Sequence, residues 1–189
     1  MYLFFDTETT GLPRRWDRPA SDFLNWPRLV QIGWICYNDN EEKLFCAEYI
    51  IKPEEFIIPK RVEMIHGISQ ERAMEDGIDL KDALLEFSEA MKKSEYLIAH
   101  NIKFDEKIVE AEFLRNEMKH GMDEREKICT KLLGTNFCKI PGHAGYKWPS
   151  LPELHNKLFG SFVQEEHNAL ADAELCAKCF FQMRRVGVV

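Results

Sequence analysis

Leu3-Phe4-Phe5-Asp6-Thr7-Glu8-Thr9-Thr10-Gly11-Leu12-Pro13 starts as an apolar run and ends in a turn. A short, aromatic-rich run closed by Thr10 to Pro13 reads as a buried strand over Leu3 to Asp6. Residues two apart on a strand project to the same face, so the carboxylates of Asp6 and Glu8 can reach a shared ion. Left together without a cation, two such groups drive one pKa up, whereas bound Mg²⁺ or Mn²⁺ keeps both ionised. Asp-x-Glu is a common pattern, and for an isolated instance a solvated strand end or a helix cap is the better account. Its meaning depends on what the rest of the chain brings to it.

Working outward, Leu29 to Tyr37 and Leu44 to Ile51 read as strands joined by the turn signal Asn38-Asp39-Asn40, which makes an antiparallel meander of the first three strands. Pro59 to Ile65 and Ser69 to Glu75 read as short helical turns. Asp79 caps an amphipathic helix whose Leu80, Ala83, Leu84, Phe87 and Met91 share one face. Tyr96 to Ala99 is a short strand and Lys103 to Lys119 a helix with Ile108, Ala111 and Leu114 facing inward. Lys127 to Thr130 is a last strand, and Leu151 to Leu158 and Ala169 to Arg185 are helices. The pattern predicts an α/β fold, a mixed sheet flanked by helices, in a single domain over 1–189.

Composition agrees with a globular chain: of 189 residues, 45% are hydrophobic and 30% charged. The apolar opening is too short for a signal-peptide core, and charges interrupt every stretch before the roughly 18 apolar residues of a membrane span. A cytoplasmic protein with no membrane partner is expected. Cysteines 36, 46, 129, 138, 176 and 179 then read as reduced core residues. Cys176 and Cys179 are spaced like half a zinc site, yet three residues apart in a helix they are neighbours on one packed face. With 25 Lys plus Arg against 32 Asp plus Glu, the formal charge of −7 argues against a general phosphate-coating protein. It is compatible with an enzyme that holds cations in carboxylates and concentrates basic groups beside them.

Two further segments carry acids at structured positions. In His100-Asn101-Ile102-Lys103-Phe104-Asp105, Asp105 falls in the first turn of the helix after Tyr96 to Ala99, where the helix dipole favours an ionised carboxylate. Asn101 as an N-cap and Asp105 as a dipole partner describe the segment too, and both readings hold together. In His167-Asn168-Ala169-Leu170-Ala171-Asp172, five residues on one helix would set His167 and Asp172 about 140° apart. His167 therefore has to precede the helix, with Asn168 as N-cap and Asp172 on the first full turn. A surface histidine before a helix is the competing description.

Taken in order, Phe5-Asp6-Thr7-Glu8-Thr9-Thr10-Gly11-Leu12, His100 to Asp105 and His167 to Asp172 resemble the three motifs of the DEDDh, or DnaQ-like, 3′→5′ exonucleases, a family that includes polymerase proofreading subunits, RNase T and oligoribonuclease. A sister subfamily carries Tyr four residues before the last Asp. That position is Asn168 here, so the His version applies. The resemblance implies a ribonuclease H-like fold with a five-stranded mixed sheet. It implies that Asp6, Glu8, Asp105 and Asp172 hold two cations, Mg²⁺ or Mn²⁺, with Asp105 acting directly or through a water, and that His167 takes a proton from the attacking water. The partner implied is the 3′ end of DNA or RNA, single-stranded or frayed, with a 5′-nucleoside monophosphate leaving.

By the same resemblance Thr9, Leu12, Ile65, His66, Asn101 and Phe104 cradle the terminal nucleotide. Core packing is the alternative for Leu12 and Phe104, and a structural histidine the alternative for His66. The loop Pro13 to Pro27 carries Arg14, Arg15, Arg18, Trp16 and Trp26, a mixture suited to phosphates and bases, although packing of the indoles on the domain is the simpler account. Lys139 to Lys147, with Gly142, His143 and Gly145, reads as a basic rim. A nucleic-acid-binding or polymerase-associated proofreading subunit is the alternative function, and a phosphatase of small phosphoesters a third. All five acid and imidazole positions are intact, no docking tail is evident after the last helix, and the third motif disfavours a phosphatase, so a free-standing exonuclease is expected.

Overall fold

Five strands build one mixed sheet: β1 (Tyr2–Thr9), β2 (Leu29–Tyr37), β3 (Lys43–Ile50), β4 (Tyr96–Ala99) and β5 (Glu126–Cys129), in the order β3-β2-β1-β4-β5. The computed structural model describes residues 1–164 and 166–189. β1, β2 and β3 pair antiparallel as the expected meander, while β4 joins β1, and β5 joins β4, in parallel. Among the described residues seven α-helices accompany the sheet: α1 (Lys60–His66), α2 (Gln70–Asp76), α3 (Leu80–Lys92), α4 (Ile102–Arg115), α5 (Thr130–Cys138), α6 (Leu151–Phe159) and α7 (Ala169–Arg185).

Alternation along β1 divides the core between the two faces of the sheet. Leu3 and Phe5 join Trp34, Phe87, Ile108 and Phe113 on the side of α3 and α4. Phe4 joins Ile35, Leu154, Cys176 and Phe180 on the side of α6 and α7. Covered on both faces, β2 is an almost continuous apolar run, buried from Leu29 to Cys36. Cys176 and Cys179 lie within the second cluster, and burial pushes the Cys179 thiol up to about 12, which suits a packed, protonated side chain. Among the described residues, no helix is long and apolar enough to cross a membrane.

Parallel pairing of β1 with β4 covers only Tyr2 to Phe4. From Asp6 onward β1 keeps β2 on one flank, and the first turn of α4 reaches it on the other. The strand is longer than its apolar run suggests, because Asp6, Thr7, Glu8 and Thr9 stay paired to Gly33, Ile32, Gln31 and Leu29.

The structure corrects the reading of the chain at several points. α4 stops at Arg115 instead of running to Lys119: the Asn116 side chain donates to the Glu112 carbonyl, Glu117 has φ 56°, and Met118 N–H returns to Phe113 O. α5 and a two-stranded hairpin, β6 (Pro141–Gly142) with β7 (Gly145–Tyr146), were not anticipated. Gly134 lowers the helical propensity of α5, and its missing side chain lets α6 pack close, since a Cβ would come within 2.9 Å of Leu154 Cδ1 and require that side chain to shift.

Candidate active site

The register of β1 on β2 fixes where the third motif can dock. Asp6 pairs with Gly33 and Glu8 with Gln31. A Cβ on Gly33 would lie within 2.6 Å of three backbone atoms of Ala169 and Leu170, so the missing side chain lets the start of α7 rest directly on the sheet. Three acceptors then satisfy the first amides of that helix. Gln31 Oε1 receives Ala169 N–H at 3.0 Å, Glu48 Oε1 receives Leu170 N–H at 3.4 Å, and Asn168 Oδ1 receives Ala171 N–H at 2.9 Å. Asn168 is thus the N-cap that its position suggested, and His167 precedes the helix with φ 51°.

This docking brings Glu8, His167 and Asp172 together, with one ligand atom from each lying within 4.8 Å of the others. Asp6 points the same way as Glu8: its charge acts on Cys176, one turn beyond Asp172 on α7. Asp172 is buried, while Asp6 and Glu8 are half-buried.

Asp105 reaches the strand from the α4 side. Thr7, which leaves β1 on the face opposite Asp6 and Glu8, donates through Oγ1 to Asp105 Oδ1 at 2.7 Å. Burial pushes this carboxyl up to about 7, while the Thr7 hydrogen bond and the charge of Lys131 pull it down. Asp105 is thus tied to β1 through Thr7, the residue between Asp6 and Glu8 in the strand, and lies outside the Glu8-His167-Asp172 triangle. Oxygen donors with one imidazole suit a hard divalent cation such as Mg²⁺ or Mn²⁺. A buried carboxyl held up near neutrality is the kind of group that a neighbouring cation would return to its ionised form.

Asn101 occupies the N-cap position but makes no side-chain cap. Its backbone is left-handed at φ 110°, and its Oδ1 accepts from Lys131 Nζ at 2.5 Å. Lys131 and His100 are participants that the sequence reading did not single out. The His100 ring spans Thr130 Oγ1 at 2.9 Å and the Pro149 carbonyl at 3.1 Å, and burial pushes its pKa down to about 4, so it works as a neutral strut. The strand-then-helix break at Cys129 would have pointed to Lys131 had α5 been recognised, because it puts Lys131 in a first turn next to the second motif.

The residues expected around a terminal nucleotide divide by exposure. Leu12 and Ile65 are 72% and 54% exposed, so neither is a core residue. Phe104 is partly buried against the α4 side of the core and carries Trp16 on it, ring centroids 5.8 Å apart. Thr9 is buried and donates to Gly11 O at 2.6 Å, closing the turn. His66 is buried, and its Nδ1 accepts from Ile68 N–H at 3.1 Å, which leaves the proton on Nε2 in the neutral ring. Among the described residues that Nε2 has no partner. Burial and the neighbouring His167 both lower the His66 pKa against the pull of Glu63, so His66 lies in the electrostatic reach of the site.

In the long loop, Trp26 is buried with its Nε1–H on Pro19 O at 2.9 Å, as the packing account expected, whereas Trp16 is 57% exposed. Glu112, fully buried on α4, anchors the end of that loop by accepting from Leu29 N–H and Arg28 Nε, both at 3.0 Å, and by pairing with Arg115 at 3.0 Å.

Residues 3–180 match the RNase T family, described as Exonuclease. The chain belongs to this exonuclease family. No curated protein matches it by sequence. Among solved structures, this exonuclease-family chain is similar to E. coli exonuclease I in complex with a dT13 oligonucleotide, at 16% identity and TM-score 0.74, over 98% of this chain and 42% of that one. It is also similar to the zinc-ion-bound E. coli exonuclease I–ssDNA complex, at 17% identity and TM-score 0.73, over 98% of this chain and 40% of that one. A product-bound structure of exonuclease I gives 17% identity and TM-score 0.73, over 97% of this chain and 43% of that one. The chain thus spans about two fifths of the length of the exonuclease I chains it matches, and at such identity the likeness establishes a shared fold. The expected DnaQ-like, ribonuclease H-like architecture is the one observed.

Proposed function

We propose that this chain, as one catalytic unit over 1–189, is a metal-dependent 3′→5′ exonuclease that removes 5′-nucleoside monophosphates from single-stranded or frayed ends of DNA or RNA. The observation that carries the reading is the convergence of Glu8, His167 and Asp172, groups from the two ends of the chain, within 4.8 Å of one another. Family membership supplies the reaction class.

Asp6, Glu8, Asp105 and Asp172 would hold two divalent cations, Mg²⁺ or Mn²⁺, whose chemistry when bound is to polarise the terminal phosphodiester and stabilise the departing 3′ oxygen. His167 accepts the proton of the attacking water, placed for this by its position ahead of α7 and within reach of Glu8 and Asp172. Thr7 keeps Asp105 against β1 by donating to its Oδ1. His66, buried with its Nε2–H unpartnered among the described residues and within the electrostatic reach of His167, backs the cradle of the last nucleotide. Leu12, exposed just after the Gly11 turn, wedges against the terminal base, and Phe104 packs on its sugar or ring. Thr9, Ile65 and Asn101 complete the cradle.

Product analysis tests the proposal. Matched single-stranded DNA and RNA incubated with Mg²⁺ or Mn²⁺ release 5′-monophosphates by chromatography, and Asp172→Asn releases none. Appearance of 3′-monophosphates, or equal release by Asp172→Asn, overturns it.

A further inference from the structure

Trp148 is an anomaly of packing. Its indole is 61% exposed, although the backbone on both sides of it is hydrogen-bonded to other segments. Lys147 N–H bonds Ile140 O at 2.9 Å, and the Pro149 carbonyl faces His100 Nε2 at 3.1 Å. Ser150 caps α6 in a reciprocal capping box with Glu153. A large apolar ring left in water on an ordered mount has little conformational entropy left to lose on binding, which is the economy of a preorganised contact. Above the ring sits Lys131, with Nζ 4.3 Å from its centroid, and the same ammonium donates to Asn101 at the N-cap position of α4. One chain of contacts thus runs from the ring through Lys131 and Asn101 to the helix that carries Asp105.

An indole mounted beside a cation and joined to a nuclease site has the two elements that grip an unpaired strand: a π-face for a base and a positive charge for the backbone. The other exposed indole of the neighbourhood, Trp16, rests on Phe104 of the same helical turn. We propose that Trp148 with Lys131 forms a subsite for a nucleotide of single-stranded nucleic acid beyond the terminal one, the base stacking on the indole face that Lys131 leaves open and the Lys131 ammonium supplying positive charge for the backbone. The proposal rests on the exonuclease reading for its substrate. It adds a reason for the unexpected α5 and hairpin: they present Lys131 and Trp148 to the strand.

Binding is measured without turnover, by fluorescence anisotropy of a dye-labelled oligothymidylate in EDTA, for the whole chain and for Trp148→Ala and Trp148→Phe. Alanine removes the stacking face and weakens binding about tenfold, whereas phenylalanine, which keeps an aromatic face, stays within about threefold of the original. Because the indole is exposed, both variants should melt with the parent, which removes misfolding as an explanation. Binding by Trp148→Ala within twofold of the parent, equal loss in both variants, or no binding by the parent overturns the subsite. A parent that binds in this way but releases no mononucleotide with Mg²⁺ or Mn²⁺ contradicts the exonuclease reading and leaves the subsite standing.

Discussion

Replacing Gly33 by alanine adds one methyl group opposite Asp6 and tests how the site is assembled. The new Cβ lies within 2.6 Å of three backbone atoms of Ala169 and Leu170, and a backbone cannot fold out of the way as a flexible side-chain tip can. To reach ordinary carbon contact, the start of α7 has to retreat from β2 by roughly 1 Å. That movement stretches the bonds from Ala169 to Gln31 and from Leu170 to Glu48, and it carries His167 and Asp172 away from Glu8. Overpacking of this kind costs about 1–3 kcal/mol, equivalent to roughly 2–12 °C in melting temperature for a chain of this size. A misplacement of about 1 Å at a reacting centre costs on the order of 100-fold in rate. Thermal unfolding and initial rates of mononucleotide release, measured on Gly33→Ala and on the parent, give both quantities. Full stability together with full activity would refute the close approach as the device that positions the third motif.

Other outcomes follow from the same contacts. Glu112→Ala leaves Arg115 and the Leu29 amide without their buried acceptor, and urea unfolding should show a loss of about 3–5 kcal/mol; a loss below about 1 kcal/mol would contradict the staple. Because burial raises the Asp105 carboxyl from 3.8 to about 7, the cation-free folded state binds this proton more tightly than the unfolded chain. Its contribution is full below the unfolded value and is lost as pH rises through about 7, so in EDTA the parent should lose more melting temperature between about pH 5 and about pH 8 than Asp105→Asn does. Identical pH dependence in the two proteins would remove Asp105 as the source. His167→Ala should lower the rate by about 10²–10⁴-fold and leave unfolding unchanged, and a rate within about threefold of the parent would exclude it as the base.

The parts of the site that could be read from sequence are those written locally. Asp6 and Glu8 follow an apolar run, Asp105 opens a helix, and the angular spacing of His167 and Asp172 forced the histidine out of the helix, where the structure places it. Period and turn chemistry carry such features because neighbours along the chain decide them. Gly33 escaped notice since its role depends on what lands on it from a segment more than a hundred residues away. Glu112 likewise looks like any helical acid until Leu29 and Arg28 arrive from 83 and 84 positions earlier. α5 was hidden by Gly134, whose missing side chain serves packing against Leu154 at the expense of helical propensity. With α5 unseen, Lys131 and the mounting of Trp148 were out of sight as well.

The central claim is that acids and an imidazole from three distant segments form one cation-dependent centre acting on 3′ ends. A single-stranded oligonucleotide labelled at its 5′ end, followed over time on a denaturing gel, tests it most directly. With Mg²⁺ or Mn²⁺ the label should pass into a ladder of products shortened one nucleotide at a time, and the ladder should vanish in EDTA and with Asp6→Ala. Label released first as a mononucleotide, internal fragments without a ladder, or an undiminished ladder in EDTA would contradict it.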